Sequence, residues 1–216
     1  GEVLTQFPMK QVDAIGLVKF DFLGLRNLSI IAETLAIIAA QNSTPPDIDN
    51  LDLADAATYQ LIAAGDTSGV FQLESSGMRD LARRLKPENF AELTAMIALY
   101  RPGPMGSGMV DDYVERKHGR KEVAYPVPQL APILNQTFGV ILYQEQVIRI
   151  ANVLADYTMG RADKLRKAMG KKDKVEMAAH RDLFVKGAVK NSIPEDKAHY
   201  IFDLMETFGG YGFNKS

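Results

Sequence analysis

The strongest concentration of positive charge in this sequence lies between Arg161 and Lys174. The stretch holds seven basic and two acidic residues, a net charge of +5, whereas the whole chain of 216 residues carries −2. Arginine grips phosphate oxygens with a planar fork and lysine acts as a point charge, so the run suits a polyphosphate. A solvated basic helix face stays open as the alternative. The side chains predicted to converge near a helix end and a break at Gly170 are Arg166, Lys167, Lys171 and Lys172.

Asp21 is the candidate metal ligand. Residues 17–24 alternate, with Val18, Phe20 and Phe22 on one face and Asp21 on the other, which predicts a short strand with one apolar side. A strand fixes the direction of a carboxylate, and Mg²⁺ is usually held by one or two carboxylates plus substrate phosphates. A solvated aspartate on the polar face of the strand is the alternative.

A rigid turn is predicted over residues 100–108, where two prolines and three glycines follow Arg101 within seven residues. Such a turn lies close to a ligand, so Arg101 and Gly103 are candidates for contact with a phosphate. An ordinary connector between two helices, with a structural arginine at its entrance, is the alternative.

Weaker candidates come from polar residues at predicted helix starts and in loops. Residues 143–146 either line a site or cap a helix, and the glycine–aromatic segment 209–216 offers Tyr211 or Phe213 to stack on a base or to fill a core. The acidic pair Asp47 and Asp49 falls in a polar loop and is interpreted as a solvated turn. The residues that we single out as possible lining of a site are Gln72, Tyr143, Gln144, Gln146, Asn214 and Lys215.

The elements that must position these residues are mostly helices. Helical periodicity begins at residue 27 and, after a proline-containing loop over 42–52, dominates to about residue 208. A short β-like run is expected over 139–142. Glycine and proline are predicted to end or open the helices, with Gly160 and Gly170 among the stops. The predicted helices after the loop are 54–64, 76–85, 88–99, 107–118, 143–156, 161–169, 173–191 and 194–207.

Composition excludes several classes of protein. Hydrophobic residues make up 46% and charged residues 24%, as in globular proteins, and the absence of cysteine excludes disulfides and thiolate metal sites. The three histidines are far apart in sequence, which argues against a histidine zinc site. No apolar run reaches the roughly 18 residues that span a membrane, and no secretion signal opens the chain, so a cytoplasmic protein is expected.

Eight short motifs, in order, resemble the family C replicative DNA polymerases, the alpha subunits of bacterial DNA polymerase III. The resemblance runs from about residue 12 to the last residue, and the order of the motifs makes it specific. The motifs are Lys-Phe-Asp-Phe-Leu-Gly-Leu (19–25), Gly-Val-Phe-Gln-Leu-Glu-Ser (69–75), Arg-Pro-Gly-Pro (101–104), Ser-Gly-Met-Val (107–110), Arg-Lys-His-Gly (116–119), Ile-Leu-Tyr-Gln-Glu-Gln (141–146), Ala-Met-Gly-Lys-Lys (168–172) and Gly-Tyr-Gly-Phe-Asn-Lys-Ser (210–216).

The resemblance implies a mainly α fold. Residues 1–41 would be a strand-plus-helix remnant of an α/β palm, and residues 42–216 a helical fingers domain truncated at its C-terminal end, where the family continues with a histidine. Asp21 matches the third of three palm aspartates that hold two Mg²⁺ ions. The other two belong to an upstream motif that this chain lacks, so the chain alone is expected to be inactive.

The resemblance also implies substrates and partners. The segment 165–172 would face the triphosphate of the incoming deoxynucleoside triphosphate, with Lys167 where the family commonly has a second arginine. Primer–template DNA and other replicase subunits, including the sliding clamp, would be the partners. Two rival interpretations stay open: a helical module that binds DNA without catalysis, and a purely structural domain.

Overall fold

The computed structural model describes residues 3–20, 22, 24–41, 43–171, 174–209 and 212–215. The chain divides into two compact regions, residues 1–51 and 52–216. Asp21 and Lys172, two of the predicted site residues, lie outside the described residues, as does Tyr211.

The first region contains two helices, α1 (Met9–Ala14) and α2 (Asn27–Ala40), and a 3₁₀ turn over Ile48–Asn50. The predicted helix from residue 27 is confirmed. The predicted strand over 17–24 is wrong for the residues described there, none of which is in a strand. A strand needs a partner to pair its backbone, and the only bridge in the described chain joins Tyr143 and Phe213.

The predicted loop after α2 carries the acidic pair that was interpreted as a solvated turn. The Asp47 carboxylate accepts hydrogen bonds from Asp49 N at 3.1 Å and Asn50 Nδ2 at 2.7 Å, so it caps the 3₁₀ turn. These bonds, that of the Asn50 side chain first, hold the pKa of Asp47 below its usual value. Within the described ranges, no group of three or more histidine, cysteine or acidic residues is placed to hold a metal ion.

The second region begins with helices that surround one hydrophobic core. Side-chain caps start three of them: Asp55 accepts from Thr58 N, Ser75 from Met78 N and Asn89 from Glu92 N. Their buried faces enclose residues such as Leu85, Met96 and Tyr113. The helices are α3 (Ala56–Ala63), α4 (Ser76–Leu85), α5 (Phe90–Leu99), α6 (Pro102–Gly106) and α7 (Met109–Lys117).

A second core lies among the helices that follow. α9 packs against α10 and α11, and α11 packs against α12, around Ile150, Phe184 and Phe202. Two 3₁₀ turns, Pro128–Leu130 and Asn135–Thr137, flank α8. The helices are α8 (Ala131–Leu134), α9 (Gln144–Ala155), α10 (Met159–Lys171), α11 (Lys174–Lys190) and α12 (Glu195–Gly209).

The mainly α prediction is confirmed, and all eight helices predicted after the loop are present, α4 with the predicted bounds and the other seven with one or both ends shifted. Two predicted stops are wrong, because α10 runs through both Gly160 and Gly170. Burial of Leu165, Ala168 and Met169 offsets the modest cost of glycine in a helix. No helix in the described ranges combines the length and the apolar character needed to cross a bilayer.

The β-like run expected over 139–142 forms no named strand in the described chain. Its end instead pairs with the C-terminal segment: Phe213 N donates to Leu142 O at 3.3 Å, and Gln144 N donates to Phe213 O at 2.9 Å. This isolated parallel bridge brings residues 212–215 to the start of α9.

Candidate functional site

Two of the predicted phosphate ligands on α10 share one carboxylate. Arg166 Nε and Nη2 both lie 2.9 Å from Asp163 Oδ1, and Lys167 Nζ lies 2.8 Å from Asp163 Oδ2. These contacts, that of Lys167 first and then that of Arg166, lower the pKa of Asp163. Because the residues are three and four apart on one helix, the cations are held side by side on one face of α10.

Gln144, at the first position of α9, joins α10 to the C-terminal segment. Its Oε1 accepts a hydrogen bond from Arg166 Nη1 at 3.0 Å, and its Nε2 donates to Gly212 O at 3.0 Å. With Asp163 on one side and Gln144 on the other, the guanidinium of Arg166 is held in one orientation.

A groove of about 240 Å³ opens beside these contacts. Its walls combine three cationic side chains with an apolar floor, and its far side is the backbone of α12 and the segment after it. Arginine and lysine side chains that converge on one groove suit an anion that carries several negatively charged oxygens. The lining residues are Gln144, Val147, Arg166, Lys167, Met169, Gly170, Lys171, Phe208, Gly209 and Gly212.

Two glycines allow the C-terminal segment to lie this close. A Cβ on Gly212 would stand 2.9 Å from Gln144 Cγ and 2.9 Å from a ring carbon of Phe208, and one on Gly209 would collide with the Met169 side chain. Neither neighbour has space to withdraw, since Met169 and Phe208 are buried. Gly212 therefore allows the C-terminal segment to lie close to α9 and α12, and Gly209 allows α12 to lie close to α10.

Arg101 is connected to the site by two aromatic side chains, Phe213 and Tyr143. Its Cζ lies 5.6 Å from the ring centroid of Phe213, whose ring is 6.5 Å from that of Tyr143 in an edge arrangement. Lys215 Nζ lies 4.9 Å from the Tyr143 ring centroid and donates to Gln136 Oε1 at 3.2 Å. Burial raises the pKa of Tyr143 to about 12. The C-terminal segment thus extends the site from Arg166 to Arg101.

Comparisons with known proteins identify the family of the chain. Residues 27–192 match the family described as the bacterial DNA polymerase III alpha subunit finger domain. The chain is 52% identical to the DNA polymerase III subunit alpha of Pseudomonas aeruginosa over 100% of its own length, and 52% identical to that of Escherichia coli K12 over 99%. The corresponding protein of Aquifex aeolicus is 46% identical over 100% of the chain.

This chain belongs to the DNA polymerase III alpha subunit family. It spans 19% of the length of each of these relatives.

Among the other residues predicted from the family motifs, Gln146 serves the fold. It is buried, and its Oε1 accepts hydrogen bonds from Leu142 N at 2.8 Å and Tyr143 N at 2.9 Å, while its Nε2 donates to Thr137 Oγ1 at 2.8 Å. The capping alternative for residues 143–146 therefore describes Gln146, whereas Gln144 faces the groove.

The remaining predicted residues are spread over the second region. Gly103 lies in α6, two residues after Arg101. Asn214 is exposed between Phe213 and Lys215. Gln72 is exposed in a turn and has a positive φ of 64°. None of the three lines the groove beside Arg166.

Asp163 is the site residue that sequence analysis missed, because it counted there only as one of two negative charges in a basic run. Its spacing of three and four residues from Arg166 and Lys167 is the signal that would have revealed the pairing. The contact of Lys215 N with Glu145 Oε1 at 3.1 Å, across 70 residues, has no such local signal.

Proposed function

We propose that this chain comprises the end of the palm and the fingers domain of a bacterial DNA-directed DNA polymerase, and that the groove beside Arg166 binds the triphosphate of the incoming deoxynucleotide. Residues 42–216 form the fingers and residues 1–41 the end of the palm. The observation that carries the proposal is the convergence of Arg166, Lys167 and Lys171 on one groove, with Gln144 holding Arg166 in place. The parent enzyme is a nucleotidyltransferase of chromosomal replication that works in the cytoplasm.

The groove supplies charge where the reaction needs it. In nucleotidyl transfer the 3′ oxygen of the primer bonds to the α-phosphorus and loses its proton, the bond from that phosphorus to the bridging oxygen breaks, and pyrophosphate leaves. Negative charge grows on the leaving phosphates, so cations fixed beside them lower the barrier. Arg166 donates from its fork, and Lys167 and Lys171 act as point charges. Lys172 adds a further charge in this proposal.

Asp163 and Gln144 keep the cations ready before the nucleotide arrives. A guanidinium that is already held against two acceptors loses little freedom when it binds a phosphate. Arg101 and Gly103 belong to the same proposal as further phosphate contacts, since Phe213 and Tyr143 link Arg101 to the segment that lines the groove. Tyr143, Asn214 and Lys215 line the approach to the groove.

The metal part of the proposal rests on family membership. Asp21 would be one of three aspartates that hold two Mg²⁺ ions, and an aspartate carboxylate has the donor chemistry that Mg²⁺ prefers. Bound Mg²⁺ would stabilise the attacking and leaving oxygens. With one of the three aspartates, the 216-residue chain alone is expected to add no nucleotide to primed DNA. Primer–template DNA, other replicase subunits and the sliding clamp are the proposed partners.

Charge reversal at Arg166 tests the triphosphate groove. In a full-length alpha subunit that carries this chain, Arg166→Glu should raise the KM for deoxynucleotide and lower kcat, with a loss of about tenfold or more in kcat/KM. Arg149→Glu, at an exposed position of α9 outside the groove, is the matched control. Arg166→Lys keeps the charge without the fork and should fall between the two. Unchanged constants in Arg166→Glu would remove this residue from the triphosphate site.

A titration of the 216-residue chain separates the rival functions. Deoxynucleoside triphosphate with Mg²⁺ should shift backbone amide signals in and around residues 161–171. A DNA-binding module without catalysis would instead respond to DNA alone, with an affinity that falls steeply as salt rises. A purely structural domain would respond to neither.

A further inference from the structure

A second groove lies on the other side of the α10 cations. It occupies about 330 Å³ between α10 and α11. Three lysines of α10 form one wall, and α11 forms the other. The lining residues are Lys164, Lys167, Lys171, Glu176, Ala179, His180 and Leu183.

The two grooves share part of their walls. Lys167 and Lys171 line both, Lys164 lines only the groove toward α11, and Arg166 lines only the groove toward the C-terminal segment. The three lysines are three and four residues apart and therefore project from one face of α10. At a helical rise of 1.5 Å per residue, they span about 10 Å. Lys167 and Lys171 therefore present positive charge to both grooves.

The electrostatic environment of the second groove is positive. Three lysines and one carboxylate, Glu176, line the groove, and a second carboxylate, that of Asp163, lies 2.8 Å from Lys167 Nζ. Arg161 continues the cationic row and lies 5.5 Å from the Tyr157 ring centroid. Burial lowers the pKa of His180; the charge of Glu176 opposes this shift, and the charges of Arg161 and Lys164 add smaller effects in the same direction as burial.

We propose that this second groove binds inorganic pyrophosphate and is where the product rests as it leaves the triphosphate groove. The inference rests on the proposed function, because pyrophosphate is the product of that reaction. Its terminal phosphate oxygens can be contacted by the three lysines, because lysine ammonium groups bind phosphate without the fixed geometry of an arginine fork. The row of three lysines is only about 10 Å long, which suits a small polyanion better than a phosphodiester strand.

Direct binding to the 216-residue chain tests the site. Isothermal titration with sodium pyrophosphate at low salt should show binding that Lys164→Ala weakens about fivefold, the size of one exposed charge contact. Lys197→Ala, an exposed lysine on α12 outside both grooves, removes the same charge and should bind as the unchanged chain does. Circular dichroism confirms that both variants are folded.

Three results would overturn the inference. The unchanged chain fails to bind millimolar pyrophosphate, or Lys164→Ala binds it as tightly as the unchanged chain, or Lys164→Ala loses affinity for a single-stranded oligonucleotide while its affinity for pyrophosphate stays the same. The last result would assign the groove to a nucleic-acid strand instead.

Inhibition kinetics separate this site from the triphosphate groove. In the full-length alpha subunit, Lys164→Ala should raise the concentration of pyrophosphate that halves the rate about fivefold, with a smaller change in the KM for nucleotide. Arg166→Glu should mainly raise the KM for nucleotide. If Arg166→Glu leaves that KM unchanged, the proposed function fails, whatever Lys164→Ala does. If Lys164→Ala changes both constants equally, the second groove is not a separate site and the inference fails alone.

Discussion

The two regions of the chain use their apolar side chains differently. α1 and α2, in residues 1–51, contain no buried residue, and the isoleucines at positions 30, 31 and 37 of α2 are all exposed. In residues 52–216, Ile150, Phe184 and Phe202 are completely buried in the core among α9, α11 and α12. Both regions contain amino acids of high helix propensity, but only the second encloses its apolar surface.

The difference shows where the stability of the chain comes from. Short helices are marginal in water unless an apolar face is packed, since the first turn costs more than its hydrogen bond returns. The second region meets that condition with two hydrophobic cores. The helices that carry its cationic site are packed against a core. The first region does not meet the condition, since α1 and α2 bury none of their residues.

Separating the regions is expected to have the largest effect. A chain of residues 52–216 should keep its helical circular dichroism signal and unfold cooperatively, because both cores lie within it. A peptide of residues 1–51 should show little helix, because α1 and α2 bury nothing. A helical 1–51 peptide, or a 52–216 chain without helical signal, would refute the comparison.

Replacing one isoleucine by alanine in each region gives a sharper test of the difference between the two regions. Ile150→Ala should lower the free energy of unfolding by about 2–5 kcal/mol, because it leaves a cavity at a site that is 0% exposed. Ile37→Ala, at 59% exposure, should change it by no more than about 0.5 kcal/mol. Urea unfolding of the two variants measures both values, and equal losses would mean that α2 is packed in solution.

Replacing one glutamine in each region makes the same comparison for polar side chains. Gln146→Ala should cost about 1–3 kcal/mol, because it leaves the buried amides of Leu142 and Tyr143 without their acceptor. Gln41→Ala, at the exposed end of α2, should change stability by less than about 0.5 kcal/mol. Thermal and urea unfolding give the comparison, and a neutral Gln146→Ala would show that water replaces the lost acceptor.

A pH dependence confined to the second region is the smallest effect expected. Burial lowers the pKa of His180 in the folded chain below its ordinary 6.5, so the unfolded chain takes up this proton first as pH falls. The stability that the neutral ring contributes is therefore complete above pH 6.5 and is lost as pH falls below it. Urea unfolding between pH 7.5 and 5.5 should show a decline that His180→Gln reduces. Equal declines in both proteins would exclude His180 as the cause.

Much of the fold was predictable because helices are local. Periodic apolar residues and glycine or proline stops placed the helices of the second region within a few residues of their ends, and the structure adds side-chain caps at Asp55, Ser75 and Asn89. The errors occurred where contacts between residues distant in sequence determine the local structure. α10 continues through Gly160 and Gly170 because its buried face is packed, and residues 17–20 form no strand because pairing requires a partner that local sequence does not specify.

The candidate site divides in the same way. Sequence by itself determined the chemistry: a run of lysines and arginines on one helix, an arginine before a rigid turn, and a glycine–aromatic segment. Tertiary structure decided which of them meet. Gln144 reaches Arg166 across 22 residues and Gly212 across 68, and Lys167 and Lys171 line two grooves rather than one. The physical reason is the distance along the chain over which each property is determined. A few consecutive residues determine local charge and helical periodicity, whereas a groove exists only where separate helices are packed side by side.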